Sequence, residues 1–170
     1  MHPARPQPDA ITLRELVPGD RPLLAAAFER LSPRSRYLRF LSPLPSLPAR
    51  TLDRLMDVDG HERVALAAID RGELVGVARY VRDRRDRGLA DVAVTVIDSH
   101  QGRGLGRRLL AALLDHAAAH GLRALRFDIH PSNQAGRGLV RSLGAQPAWS
   151  DGLLRGELPT PQRPALPLAA

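Results

Sequence analysis

A glycine-rich segment between a valine-rich run and a long amphipathic pattern constrains the fold of this chain more than any other feature. The segment Gln101-Gly102-Arg103-Gly104-Leu105-Gly106-Arg107 follows the apolar run Leu89–Ile97. Such a run is typical of a central strand that is covered on both faces. The apolar residues beyond it recur at the spacing of one helical face: Leu105, Leu109, Ala112, Leu113 and Ala117. The segment therefore predicts a strand, a turn and a helix within an α/β domain.

The rest of the chain adds strands and helices around this unit. Strand patterns are predicted at residues 11–16, 64–69, 74–81, 89–97, 125–129, 145–149 and 153–158. Helix patterns are predicted at residues 20–31, 33–41, 49–56, 104–120 and 133–143. The terminal segments 1–9 and 159–170 are rich in proline and lack periodicity, so we expect them to be disordered tails of one domain over residues 10–158.

The glycine-rich segment has the chemistry of an anion site. The first N–H groups of a helix have no intrahelical acceptor, and the helix dipole favours negative charge there. Arg103 and Arg107 add positive charge. The segment is not a P-loop, because the chain has no lysine, and Arg107 stands where a dinucleotide fingerprint needs its third glycine. Taken alone, the segment favours a plain strand-to-helix turn.

The composition excludes several classes of protein. The net charge is +7, but the arginines are spread along the chain without a basic stripe, so we expect no nucleic-acid partner. The absence of cysteine excludes disulfides and thiolate chemistry. No signal peptide or membrane helix is recognisable, which predicts a cytoplasmic protein without membrane contacts. His116 and His120 have a spacing that two metal ligands can use, but without a His-Glu-x-x-His motif we expect no metal.

The glycine-rich segment and its surroundings resemble the acetyl-CoA-binding motif of the GNAT superfamily of N-acetyltransferases, Arg/Gln-x-x-Gly-x-Gly/Ala. Asn133 and the helix that ends at Leu143-Gly144 resemble the second motif of that superfamily. The resemblance covers about Ile11–Leu158. It implies a mixed central sheet of six to seven strands with helices on both faces, and acetyl-CoA as the co-substrate.

Two further segments narrow the resemblance. Ser35–Pro43 and Val75–Tyr80 are similar to the acetyltransferase domain of bacterial protein lysine acetyltransferases of the Pat type. This similarity implies that the acceptor is a lysine side chain of a protein. The alternatives are a protein N-terminus, a small amine, or a non-catalytic module that senses acyl-CoA. The sequence contains no signal for the oligomeric state.

The resemblance also assigns roles to individual residues. It implies that the cofactor is held by Val94, Thr95, Val96, Gly102, Arg103, Gly104, Leu105, Gly106, Arg107 and Asn133. Asp91 occupies the position of the family's catalytic glutamate, one methylene shorter, and we expect it to act as the base through water; Asp128 is the second candidate. An apolar strand around Asp91 would raise its pKa by desolvation. The alternative is that Asp91 is an exposed residue at the end of the strand, after the arginine-rich loop.

Two departures from the family pattern concern the second motif. Val140 stands where many relatives carry a tyrosine that protonates the leaving thiolate. Gly136 and Gly138 weaken the helix, and we expect them to allow close approach of the cofactor. Asn133 is as suitable for capping a helix as for contacting the cofactor.

The predicted helix at residues 33–41 contains three arginines. Arg34, Arg36 and Arg39 are candidates for binding an acidic acceptor or the 3′-phosphate of the cofactor, or they form a solvated helix face.

Overall fold

The computed structural model describes residues 11–162, which contain seven strands and five α-helices. The strands are β1 (Thr12–Glu15), β2 (Arg63–Asp70), β3 (Glu73–Arg82), β4 (Leu89–Val96), β5 (Ala124–Ile129), β6 (Ala148–Ser150) and β7 (Leu153–Pro159). The helices are α1 (Arg21–Glu29), α2 (Pro33–Phe40), α3 (Ala49–Met56), α4 (Leu105–Ala119) and α5 (Gln134–Ser142). Short 3₁₀ helices cover Pro18–Asp20 and Asp98–His100.

One mixed sheet contains all seven strands in the order β1-β2-β3-β4-β5-β7-β6. Its neighbouring strands are antiparallel except β4 and β5, which are parallel. Helix α4 makes the crossover that a parallel pair requires. The predicted mixed sheet with helices on both faces is confirmed.

Alternate residues of β4 face different helices, because side chains in a strand point to opposite faces of the sheet. Val94 and Val96 lie on the side of α4, within reach of a Cβ built at Gly106. Ala93 and Thr95 lie on the other side, in a cavity that Phe28 of α1 also lines. The central strand is therefore covered on both faces, as its valine-rich sequence predicts.

The chain after α5 differs from the sequence prediction. Strand β6 begins at Ala148 rather than Ala145, because residues 144–145 are used to end the helix. Gly144 N–H donates to the carbonyl of Arg141, and Ala145 N–H donates to that of Val140, both at 3.0 Å. Such bonds satisfy carbonyls that have no partner inside the helix.

Strand β7 ends one residue later than predicted, since Pro159 still pairs with Ala124. Thr160 N–H then donates to the carbonyl of Arg123 at 2.9 Å. The predicted tail 1–9 lies outside the described residues, as does most of the predicted tail 159–170. Among residues 11–162, no helix combines the length and the apolar character needed to cross a bilayer.

Candidate active site

A groove opens at the point where β4 and β5 separate. The two strands pair only over Leu89–Asp91 and Ala124–Arg126, whereas β4 remains paired with β3 as far as Val96. The side of β4 that faces β5 is therefore without a strand partner from Val92 to Val96. The groove has a volume of about 680 Å³, and α2, β4, α4 and α5 form its walls. Its size suits an extended ligand.

The glycine-rich segment forms one end of the groove. Gly102 and Gly104 have φ angles of 72° and 76°, in the left-handed region that glycine adopts without strain. Gly104 is the N-cap of α4, and no side chain caps this helix. Its first N–H groups, at Leu105, Gly106 and Arg107, therefore remain available to an anion in the groove.

Hydrogen bonds from α2 and Gln101 hold the groove in shape. The Gln101 side-chain amide donates to the carbonyl of Val96 at 2.9 Å and to Ser35 Oγ at 3.3 Å. Ser32 N–H donates to Asp98 Oδ1 at 3.1 Å, while Ser32 Oγ caps α2. Burial by itself would raise the pKa of Asp98, but the hydrogen bonds from Ser32 and Ser35 lower it. The charged carboxylate thus ties α2 to the end of β4.

Asn133 and the two glycines of α5 border the opposite wall. Asn133 Oδ1 accepts a hydrogen bond from Gly136 N–H at 2.9 Å, so this residue caps α5 and also lines the groove. A Cβ at Gly136 would lie 2.8 Å from the side chain of Asn133, whereas a Cβ at Gly138 would meet no protein atom within 4 Å. The cap explains Gly136. No protein contact explains Gly138, which lines the groove.

The structure brings together nearly all the residues predicted to hold the cofactor. Nine of the ten line the groove: Val94, Thr95, Val96, Gly102, Gly104, Leu105, Gly106, Arg107 and Asn133. Arg103 is exposed and does not line it. Arg107, in the first turn of α4, lines the groove, whereas Arg103 precedes the helix.

Asp91 lies outside the groove, at the last residue pair before the strands separate. The expectation of apolar surroundings is wrong, since its side chain is 67% exposed and its Oδ1 lies 2.8 Å from Arg126 Nη2. Asp128 lies on the same face of β5 as Arg126, two residues further along the strand. Its side chain is half-exposed and lies 3.2 Å from Arg155. Asp91 is four residues from Thr95, or about 13 Å along the strand. A proton would have to pass between them through water.

Several side chains make contacts that the sequence did not predict. His100 Nε2 lies 2.9 Å from Asp70 Oδ2, and its side chain is only 12% exposed. Arg36 donates to the backbone carbonyls of Leu31 and Pro45 and lies over the ring of Phe28. Arg34 spans the groove and donates to the carbonyl of Ser132 at 3.1 Å. The partners of His100 and Arg34 lie far away in the sequence, and no local pattern predicts them.

His116 also contacts side chains of other residues in the fold. Its ring stacks on His120 with centroids 4.2 Å apart, and its Nδ1 lies 3.2 Å from Tyr80 Oη. Burial, followed by the nearby His120, lowers the pKa of His116. Within residues 11–162, no group of His, Asp and Glu side chains is arranged to hold a metal ion.

A second, smaller cavity adjoins the groove on the other face of β4. It has a volume of about 50 Å³, and its walls come mainly from apolar side chains of α1, α2, β3 and β4. Arg39 and Arg79 also line it. Arg39 and Thr95 border both this cavity and the groove, so the two spaces meet at these residues.

Sequence comparisons connect this arrangement to known enzymes. The profile of the Acetyltransferase (GNAT) family matches residues 26–145. An acetyltransferase of Pseudomonas aeruginosa is 35% identical over 138 residues, which are 79% of this chain and 74% of that protein. Acetyltransferase Pat of Mycolicibacterium smegmatis is 32% identical over 136 residues, or 78% of this chain and 40% of that protein. The P. aeruginosa L-methionine sulfoximine/L-methionine sulfone acetyltransferase is 39% identical over 85 residues, or 48% of this chain and 49% of that protein.

Structural comparisons give the same result. The GNAT domain of S. lividans PAT superposes with a TM-score of 0.83 at 30% identity, covering 88% of this chain and 90% of that one. A phosphinothricin acetyltransferase of Sinorhizobium meliloti, solved in complex with acetyl-CoA, gives a TM-score of 0.73 at 21% identity, covering 88% of both chains. The matched segments cover less than half of the M. smegmatis Pat and of the sulfoximine acetyltransferase.

Proposed function

This chain belongs to the GNAT acetyltransferase family, and we propose that it transfers the acetyl group of acetyl-CoA directly to a primary amine. One observation carries the proposal: the groove between the separated strands ends at the uncapped N-terminus of α4. A strand edge beside a helix N-terminus suits a ligand that has a polar arm and a phosphate group. The sulfoximine acetyltransferase and Pat are acetyltransferases by name, which supports the reaction type.

The residues of the groove fit acetyl-CoA. The N–H groups of Gly102 and of the first turn of α4 would hold the pyrophosphate, and Arg107 of that turn would add a cation. The unpartnered side of β4 at Val94–Val96 would hydrogen-bond the pantetheine arm and the thioester carbonyl. Gly138 leaves room for close approach on the other wall.

Bound acetyl-CoA supplies an activated acyl group, and the protein has to supply a deprotonated amine. A lysine-type ammonium has a pKa of about 10.4, so a base is required. We propose Asp91, which would accept the proton through water because it does not line the groove. The chain contains no cysteine to carry the acetyl group, in accord with direct transfer.

Two acceptor classes have support. A lysine side chain of a protein is supported by the similarity to Pat over 78% of this chain and by the fold shared with S. lividans PAT. A free amino acid is supported by the similarity to the sulfoximine acetyltransferase and by the two arginines beside the groove.

Calorimetry with acetyl-CoA tests the cofactor site. We expect Arg107→Gln to weaken binding by roughly tenfold, since a charge-assisted hydrogen bond contributes about 1.5 kcal/mol or more. The matched variant Arg103→Gln removes an equal charge outside the groove. It should change the affinity less than threefold, which corresponds to about 0.6 kcal/mol of binding free energy. Absence of binding by the unmodified protein would overturn the proposal. Binding without transfer to any protein or small amine would instead indicate a sensor module.

A further inference from the structure

Two arginines line the small cavity next to the groove, and no acidic residue lines it with them. Arg79 of β3 is 8% exposed and donates to the carbonyls of Leu55 and Arg54 at 3.1 and 3.4 Å. It thereby satisfies carbonyls in the last turn of α3, which have no partner in their own helix. The position of Arg79 therefore has a structural explanation.

Arg39 has no such explanation. Within residues 11–162, its guanidinium makes no hydrogen bond and no ion pair; its nearest partner is the ring of Phe40, 4.8 Å from Cζ. Burial, together with the charge of Arg79, lowers the pKa of Arg39 to about 10. A partly buried cation beside a second cation is unfavourable unless an anion joins them.

The location of Arg39 connects this charge to the reaction. Arg39 borders both the cavity and the groove, as does Thr95 of β4, the strand proposed to hold the thioester. Apart from Arg39, Arg79 and Thr95, the walls of the cavity are apolar, with Phe28, Leu31 and Phe40 among them. A molecule bound here would present an anionic group at the mouth and an apolar group inside.

We infer that this cavity binds the acceptor, and that the acceptor is a free α-amino acid with a compact apolar side chain, whose carboxylate is held by Arg39. In an α-amino acid the amine and the carboxylate share one carbon, so an anion held at Arg39 places the amine beside β4. A volume of about 50 Å³ holds only a few non-hydrogen atoms, because one water needs roughly 10–15 Å³ of such space.

The same charges disfavour a lysine side chain. Its ammonium group would approach two guanidinium groups in a cavity that no carboxylate lines; Asp57 interacts with Arg79 from outside the cavity. Like charges that meet in a poorly hydrated site repel each other more strongly than in water. The inference rests on the proposed transfer to an amine and selects the amino acid among the two acceptor classes.

The test compares L-leucine with L-leucinamide and 3-methylbutylamine, which lack the carboxylate. Each is assayed with acetyl-CoA and the unmodified protein, Arg39→Gln and Arg30→Gln. Arg30 supplies the control because it is an exposed arginine at the end of α1, paired with Glu73 and outside the cavity. Calorimetry also measures the binding of leucine to each protein with and without CoA, so that binding is followed without turnover.

We expect leucine to exceed both neutral analogues in kcat/KM, and Arg39→Gln to reduce that preference by roughly ten- to hundredfold, the range for a hydrogen bond to a charged group. The ratio is compared between proteins, so differences in amine basicity cancel. Arg30→Gln should retain the preference. A preference that is absent, or that survives Arg39→Gln, overturns the inference.

Three further outcomes are decisive. Acetylation of a lysine peptide, without binding of leucine, overturns the inference but retains the proposed function. A preference for succinyl-CoA over acetyl-CoA that depends on Arg39 also overturns it, because the carboxylate would then belong to the acyl chain. If acetyl-CoA does not bind, the proposed function fails. In that case, binding of leucine that depends on Arg39 would still support the cavity as an amino-acid site. If leucine does not bind either, the inference about the cavity is overturned as well.

Discussion

Asp91 Oδ1 lies 2.8 Å from Arg126 Nη2, at the last paired position before β4 and β5 diverge. Arg126 also contacts Asp83 at 2.6 Å, so one guanidinium holds two carboxylates at the entrance to the open part of the sheet. Asp91 is exposed to solvent and has a defined orientation. Any proton that Asp91 accepts from the groove would therefore reach it through water.

If Asp91 is the base, Asp91→Asn should lower kcat by about 10²–10⁴, the usual contribution of general-base catalysis. The KM for acetyl-CoA should change little, since Asp91 does not line the groove. Steady-state kinetics at several pH values would measure both. Asp83→Asn is the matched control, because it removes the other carboxylate held by Arg126. Loss of turnover in Asp128→Asn, with normal turnover in Asp91→Asn, would transfer the role to Asp128.

Gly138→Ala should separate stability from cofactor binding. Alanine stabilises a helix interior by up to about 1 kcal/mol relative to glycine, and its Cβ meets no protein atom within 4 Å. We therefore expect a higher Tm together with weaker acetyl-CoA binding. Thermal unfolding and calorimetry would test the two effects. Gly136→Ala should instead lower the Tm, because its Cβ would collide with Asn133. Unchanged cofactor affinity in Gly138→Ala would remove the close-approach explanation.

Two arginines of α2 should respond in opposite directions to replacement by methionine. Arg39→Met removes a cation that has no ionic partner in the described chain, and we expect the Tm to rise by roughly 2–4 °C, equivalent to about 1 kcal/mol in a domain of this size. Arg36→Met should lower the Tm, because it leaves the carbonyls of Leu31 and Pro45 without their donor. Differential scanning calorimetry would detect both. A marked fall in Arg39→Met would show that its charge stabilises the fold.

Stability should decrease in mild acid because of His116. Burial lowers the pKa of His116 in the folded protein, whereas an unfolded histidine titrates near pH 6.5. The unfolded state therefore binds the proton first, and unfolding is favoured as pH falls. The stabilising contribution is present above about pH 6.5 and is lost as pH falls through the lowered pKa.

Tm measured between pH 8 and pH 5 would test this dependence. We expect His116→Gln to have a shallower loss of Tm over that range. His130→Gln, at a partly exposed histidine beyond the end of β5, should retain the original slope. Equal slopes in all three proteins would assign the acid sensitivity to other groups.

Local patterns in the sequence identified most of the fold. Local patterns predicted every strand and α-helix in the correct order, and Gly121, with a φ angle of 76°, follows the end of α4. Boundaries were less accurate where the backbone continued to bond after a helix, as at Ala145. Periodicity reports the burial of side chains and does not report how a helix end satisfies its carbonyls.

Some features of the candidate site were likewise predictable from local sequence, and others were not. The sequence by itself determined the glycine-rich turn at the N-terminus of α4, because that geometry depends on neighbouring residues and on the conformational freedom of glycine. It also determined the order of elements that identified the family. These features are local and do not depend on how the chain folds back on itself.

Only the tertiary structure decided the rest. It placed Arg39 and Arg79, forty positions apart, in one cavity without an acid. It left Asp91 exposed beside Arg126, although the strand around it is apolar. Charges and solvent exposure at such positions depend on which distant elements pack together, and a single sequence contains no periodic signal for those contacts.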